Sequence, residues 1–274
     1  MLLDNYVSYA SESFTLPQIC IKIRKILDDT HSDVDDISRL ISLDPSLTAK
    51  ILRLANSALF RFPSQIDSVA KAISVVGGEA LYNLVMAETA NTAFNHFKSE
   101  YVDLKQHWYS SVYNGVLAQY LAKSIHQRGS ERFFVLGILH NLSELVVAKY
   151  DPEKYMAYIQ LKSDDLPWQK QQAHYGFTFA HCSGVIMEEW QLPMKLYYPV
   201  KWLHHASKQE EDGDIGLLAC SMRVTIRENK PSEYGNIAPF TPEIADKLNT
   251  NNDLLKNTIA YANTETEKVA TSVL

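Results

Sequence analysis

Apolar residues along this chain recur three and four positions apart almost throughout, the spacing that places them on one face of a helix. Pro17 opens a segment in which Ile19, Ile23, Ile26 and Leu27 share a side. Ser32 is placed to cap the next helix, with Val34, Ile37, Leu40 and Ile41 as its buried stripe. Asp33, Asp35 and Asp36 fall in its first turn, where the helix dipole favours anions. This acidic run lacks the ligand spacing and the glycine of a calcium loop, so it reads as a helix start. Asp44-Pro45 pairs a cap with proline at the first helical position, and Leu47, Ile51, Leu54 and Ala55 line a helix expected to reach about Ala58. After a loop at Arg61-Phe62-Pro63-Ser64, Ser68 can cap a short helix carrying Val69, Ala72, Ile73 and Val76. Gly77-Gly78 permits a sharp turn into a helix with Leu81, Leu84, Val85 and Phe94 inside.

The second half begins with a longer helix, from about Val102 to Ile125, whose inner face carries Trp108, Val112, Gly115, Ala118 and Ala122. The small residues there should admit another helix at close range. One continuous, strongly apolar helix is expected from about Glu131 to Lys149. Asp151-Pro152 starts its successor, and Leu166-Pro167-Trp168 enters another. Phe179 to Trp190 and Lys195 to His205 give two more, parted at Leu192-Pro193. Glu210-Glu211-Asp212-Gly213-Asp214 reads as an exposed acidic linker. A helix from Ile215 to Arg227, a loop through Pro239 and two helices starting near Thr241 and Asn252 complete the chain. The fold class is all-α, a multi-helical assembly of two lobes, 1–98 and 99–228, with 229–274 as a helical tail packed on them.

The chain has 274 residues, long enough to fold around a core without covalent staples. With 26 Lys and Arg against 32 Asp and Glu, the net charge of −6 argues against nucleic acid or an anionic membrane as the partner. Cys20, Cys182 and Cys220 are far apart and form no paired motif, so they read as reduced, buried thiols. No secretory leader pattern opens the chain, and its longest unbroken apolar run is only Phe133 to Leu139. A cytoplasmic protein is expected.

Candidate chemistry centres on residue 140. At about 100° per residue, Gly137, His140, Asn141 and Glu144 gather opposite Val135, Ile138, Leu139, Leu142, Leu145 and Val146. Polar residues on an otherwise apolar helix look like the floor of a site. His181 and Cys182 are helical neighbours whose side chains diverge, which argues against a Cys/His nucleophile. No phosphate-cradling loop or nucleophile elbow is present.

The run Gly137-Ile-Leu-His140-Asn141-Leu-Ser-Glu144-Leu resembles the His-Asp helix of the HD phosphohydrolases, with Asn in place of Asp. Leu16-Pro17, Asp44-Pro45-Ser-Leu47-Thr-Ala-Lys-Ile-Leu52-Arg53-Leu-Ala-Asn56-Ser57-Ala58 and Ile66-Asp-Ser-Val-Ala-Lys-Ala-Ile73-Ser-Val-Val-Gly77 resemble the signature of the HDOD family. These are HD-related output domains of bacterial signalling proteins. Gly176-Phe-Thr-Phe-Ala-His181-Cys-Ser-Gly184, Trp190-Gln-Leu-Pro193 and His204-His205 fit the same pattern, so the resemblance covers about residues 14–225.

The resemblance implies two helical lobes, the second HD-like, and a regulatory role rather than hydrolysis. An HD enzyme holds one or two metals through His and Asp. Here the first ligand position aligns with Ser110, the His-Asp pair is His140-Asn141, and the later Asp falls near Cys220. Glu144 replaces a frequent Lys. His140, His181 and His204 or His205 remain. No catalytic residue and no cofactor is therefore expected; an adventitious divalent metal, if bound, would use His140, His181 and His205. The bland alternative for His140 is a hydrogen bond to a neighbouring carbonyl that fixes helix packing. In the HDOD motif, Asp44, Pro45, Arg53, Asn56 and Ser57 are candidates for partner contact. Asn56 and Ser57 equally suit backbone capping, and Arg53 is placed to pair with an acid of the other lobe. The reading is a non-catalytic signal-transduction module that binds a sensor, a response regulator or a cyclic-dinucleotide enzyme. The alternatives are a divergent metal phosphohydrolase and a nucleotide-sensing domain.

Overall fold

Helix starts written into the sequence as small polar residues are realised as caps. Side-chain oxygens of Asp44, Ser68, Asp103, Asp151, Thr178, Asp212 and Thr241 accept backbone N–H groups two or three residues ahead. The computed structural model describes residues 2–31, 33–57, 59–60, 65–248 and 250–273. Ser32, Ala58 and the loop at Arg61-Phe62-Pro63-Ser64 lie outside them, as does the side chain of Val34. Asp33, one residue after the expected cap, accepts the Asp35 N–H instead.

The described residues form helices and no strands. The first group comprises α1 (Leu2–Ser13), α2 (Gln18–Asp28), α3 (Val34–Ser42), α4 (Pro45–Ala55), α5 (Val69–Val76) and α6 (Gly78–His96). Then come α7 (Leu104–Ser124), α8 (Arg132–Leu139), α9 (Leu142–Tyr150), α10 (Pro152–Ile159), α11 (Pro167–Tyr175) and α12 (Phe179–Glu189). The chain closes with α13 (Met194–Lys201), α14 (Ala206–Glu211), α15 (Gly213–Asn229), α16 (Pro231–Tyr234), α17 (Pro242–Lys247) and α18 (Asn252–Val273). One hydrophobic core runs from Tyr6 to Ala270, so the early and late helices share it.

The closest crossing joins α7 to α8. A methyl group added at Gly137 would lie 2.4 Å from the Gly115 Cα, and one at Gly115 would lie 2.6 Å from the Phe134 carbonyl oxygen. Two glycines facing each other let the backbones nearly touch. The third member of this layer, α18, runs antiparallel to α7: Trp108 Nε1 donates to the Ala270 carbonyl, Tyr113 Oη donates to Asn263, and Tyr120 stacks on Tyr261. It also touches α4 and α6, and so straps the first group of helices to the second.

Four expectations change. The helix α1 was not anticipated, although Tyr6, Val7 and Ala10 have helical spacing and are buried against α9 and α12. The expected continuous helix over 131–149 is interrupted at His140-Asn141, where Asn141 takes φ −117° and ψ 20°. The expected helix through His205 stops at Lys201, leaving His204 in the connection and His205 as the N-cap residue of α14. The acidic linker is largely helical: Glu210 and Glu211 end α14, and Asp212 caps α15. Asp214 is half-buried and paired with Arg132. The stretch Arg132–Tyr150 is long and apolar enough to cross a bilayer by composition alone, yet 72% of its window is buried inside the fold.

Candidate functional site

The interruption between α8 and α9 builds the site. It frees the first N–H groups of α9, and Ser183 Oγ accepts that of Ser143. It also puts Glu144 in the first turn of α9, where the dipole stabilises a carboxylate. Three donors converge on Glu144. Tyr155 Oη donates to Oε1 at 2.9 Å, while Asn141 Nδ2, at 2.5 Å, and His107 Nδ1, at 3.2 Å, both meet Oε2. Burial pushes the Glu144 carboxyl up, but the bonds from His107, Tyr155 and Asn141 outweigh it and hold the group below its usual value. The same burial, together with the neighbouring Glu144 charge, raises the Tyr155 phenol far above its ordinary range.

His140 caps α8 and turns Nδ1 to the Gly137 carbonyl at 2.7 Å. That bond makes Nδ1 the protonated nitrogen and leaves Nε2 as a lone pair. Asn114, fully buried on α7, donates to the same carbonyl and accepts from Thr225 of α15, tying three helices beneath the histidine. Burial lowers the His140 pKa to about 4 and that of His204 to about 3, the neighbouring His107 adding to the first and His140 and Arg223 to the second. Both are neutral imidazoles at physiological pH.

These groups line a cavity of about 400 Å³. From α7 come His107, Ser110 and Ser111; from α10, Tyr155 and Tyr158; from α11, Trp168 and Gln171. His204 stacks on Trp168 with 4.9 Å between centroids and 13° between planes. The far wall is Met222, Thr225, Ile226 and Asn229 of α15, followed by Lys230 and Tyr234. At the rim Asn229 donates to Ser110 at 2.7 Å.

The structure thus gathers Ser110, His140, Asn141, Glu144 and His204 in one place and scatters the other expected members. His181 lines a different cavity with Leu2, Tyr175 and Phe177, and its Nδ1 lies 3.0 Å from the Lys201 carbonyl. His205 is exposed beside Ser207. Cys220 is buried within α15 and is not among the cavity-lining residues, and burial raises the thiols of Cys220 and Cys182. His140, His181 and His205 therefore do not form the ligand trio named for an adventitious metal. Among the described residues, no three His, Cys, Asp or Glu side chains converge as a metal site would require. With Glu144 already accepting from three donors and an amide at position 141, the residues present do not fit a divalent-metal centre.

Sequence reasoning missed His107, Thr225 and the aromatic wall. His107 stands three residues before Ser110, the position aligned with the first ligand. It shares a helix face with Ser110 and Ser111, so face rather than motif would have found it. On α15 the stripe 222, 225, 226, 229 is the one that faces the cavity, which excludes position 220. Asn56 donates to the Leu52 and Ile66 carbonyls and accepts the Ile66 N–H, pinning the chain after α4, which bears out the capping alternative for Asn56 alone: the Ser57 hydroxyl is buried with no hydrogen-bond partner among the described residues. Asp44 caps α4, and Arg53 is exposed, its charge acting on Glu88 of α6 in the same group of helices rather than on an acid of the other lobe.

The fold is that of solved proteins. A protein of Shewanella amazonensis SB2B, provisionally named a phosphohydrolase, superposes with a TM-score of 0.74 at 21% identity over 98% of each chain. An HDOD domain protein of unknown function from Geobacter sulfurreducens gives 0.69 at 17% identity, covering 98% of this chain and 97% of its own. A provisionally named signal transduction protein of Marinobacter aquaeolei VT8 gives 0.70 at 19%, covering 96% of this chain and 60% of its own. In sequence, an uncharacterized protein of Treponema pallidum (strain Nichols) is 25% identical over 200 residues, 72% of this chain. This chain spans 38% of that protein's length. The HDOD domain family matches residues 14–206, and the chain belongs to that family.

Proposed function

We propose that this protein is a non-catalytic regulatory output module of bacterial signalling, acting in the cytoplasm through contact with another signalling protein. The observation that carries this reading is the state of Glu144. Its carboxylate is engaged by His107, Asn141 and Tyr155, and the residue after His140 is an amide that donates where a hydrolase would present a ligand. Position 141 then offers no charge to offset the desolvation of a metal, and the neighbouring Glu144 carboxylate is already engaged. The partner is a sensor, a response regulator or a cyclic-dinucleotide enzyme, and neither nucleic acid nor a membrane surface.

The test is metal analysis of the purified protein with a phosphomonoesterase and phosphodiesterase screen in added Mn²⁺. Substoichiometric metal, with wild type and His140→Ala equally inactive, is the expected result. Stoichiometric metal, with turnover that His140→Ala abolishes, overturns the reading in favour of a divergent phosphohydrolase. Affinity capture from the native cell should recover a signalling protein, and its absence across several growth conditions counts against the interaction role.

A further inference from the structure

The cavity above α9 has a surplus of acceptors. A carboxylate offers about four lone-pair sites, and three on Glu144 are taken, leaving one. His140 spends Nδ1 on the Gly137 carbonyl and keeps the Nε2 lone pair. His107 spends Nδ1 on Glu144, and its Nε2 is buried with no partner, in a side chain only 6% exposed. Unfilled buried acceptors are costly, and a ligand that donates N–H groups relieves them.

Charge points the same way. Two carboxylates, Asp103 and Glu144, line the cavity against one ammonium, Lys230. A phosphate or carboxylate ligand would bring further acceptors and further negative charge beside Glu144, with both unfavourable. The lining is aromatic, with Tyr155 and Tyr158 of α10 beside the Trp168–His204 stack, over which the Arg223 guanidinium stands 6.0 Å from the Trp168 centroid; such rings are surfaces against which a planar ligand packs. The volume, about 400 Å³, lies within the range of small-molecule sites.

We propose that this cavity binds a small planar nitrogen base, an aminoheterocycle or amidine presenting N–H donors, and discriminates against its phosphorylated forms. The ligand inserts N–H groups toward Glu144 and His140 Nε2 while its ring lies against the aromatic wall. This rests on the non-catalytic reading of the site, and makes the cavity the input to which the module responds.

Calorimetry and thermal unfolding of the full chain with adenine, cytosine and benzamidine, and with AMP and CMP, test it. At least one base should bind at one per chain with a saturable rise in melting temperature, and its 5′-phosphate should bind at least tenfold more weakly. Glu144→Gln should weaken the base at least tenfold. Should that variant not fold, Trp168→Leu, checked by circular dichroism, supplies the same comparison. Nucleotides binding as tightly as bases, no base binding, or binding that survives both substitutions would each overturn the proposal. Chromatography of the same samples separates the two readings: phosphate released from AMP or CMP overturns the non-catalytic function, whereas failure to bind without turnover overturns only the ligand class.

Discussion

Glu144 and His140 illustrate two ways a buried titratable group is kept in one state. The carboxylate is held charged by three donors, and the imidazole is held neutral by burial. Both make the fold sensitive to acid in the same direction. Between the unfolded histidine value of 6.5 and the folded value of about 4, an unfolded chain takes up a proton that His140 refuses, and His204 acts likewise. Stability should be full above pH 6.5 and fall as the pH drops toward 4. The His140 share is at most about 3 kcal/mol, at roughly 1.4 kcal/mol per pKa unit. Glu144 adds its own loss below the ordinary carboxylate range. Urea unfolding from pH 8 to 4 checks this, and His140→Gln should flatten the slope; equal slopes in both proteins contradict it. The three polar residues His140, Asn141 and Glu144 were legible because they interrupt an apolar run. Their hydrogen bonds were not, since they depend on how α7 and α10, which supply His107 and Tyr155, pack against α9. A second residue-scale expectation concerns Asn56. Asn56→Ala removes two hydrogen bonds to the Ile66 backbone and one to the Leu52 carbonyl of α4, and about 2–3 kcal/mol of stability should go with them, measured by the same unfolding.

Helices are where the sequence was most readable, because caps and apolar spacing are local. Asp44, Ser68, Asp151 and Thr241 open α4, α5, α10 and α17 where expected. The break in the 131–149 segment was not readable, since no Pro stands in it and its one glycine, Gly137, lies three residues before the break inside α8. Its origin is tertiary: Gly137 is pressed onto Gly115, and Ser183 supplies a partner for the newly opened turn of α9. The end of α13 at Lys201 is similar, with Lys201 backbone 2.4 Å from where a methyl at Gly184 would sit. Gly137→Ala should therefore force α7 and α8 apart, costing about 3 kcal/mol and displacing His140. Thermal unfolding measures the first effect, and the histidine ring proton shifts in NMR report the second. An unchanged melting point would show that the crossing yields without cost.

Across the molecule, residues outside the family's span complete the assembly. At one end α1 inserts Tyr6 among Tyr150, Tyr175 and Phe177, with its hydroxyl toward Asp151. At the other, α18 seats Thr258, Ala262, Thr266 and Val269 in the interior. Removing residues 252–274 should uncover the α7 face around Trp108 and lower the melting temperature by more than about 10 °C, with amide exchange in α7 rising first. Retention of wild-type protection in α7 would show that α18 is an ornament on the fold. The far wall of the cavity, residues 222–234, also lies beyond the matched span of 14–206. Floor and roof thus fall on different sides of that boundary: His140, Asn141 and Glu144 lie inside the matched span and the surface that closes over them lies outside it. Relatives sharing the floor are free to differ in what they admit, so a chimera carrying this chain's 207–274 on another member's 14–206 should inherit its selectivity from the graft.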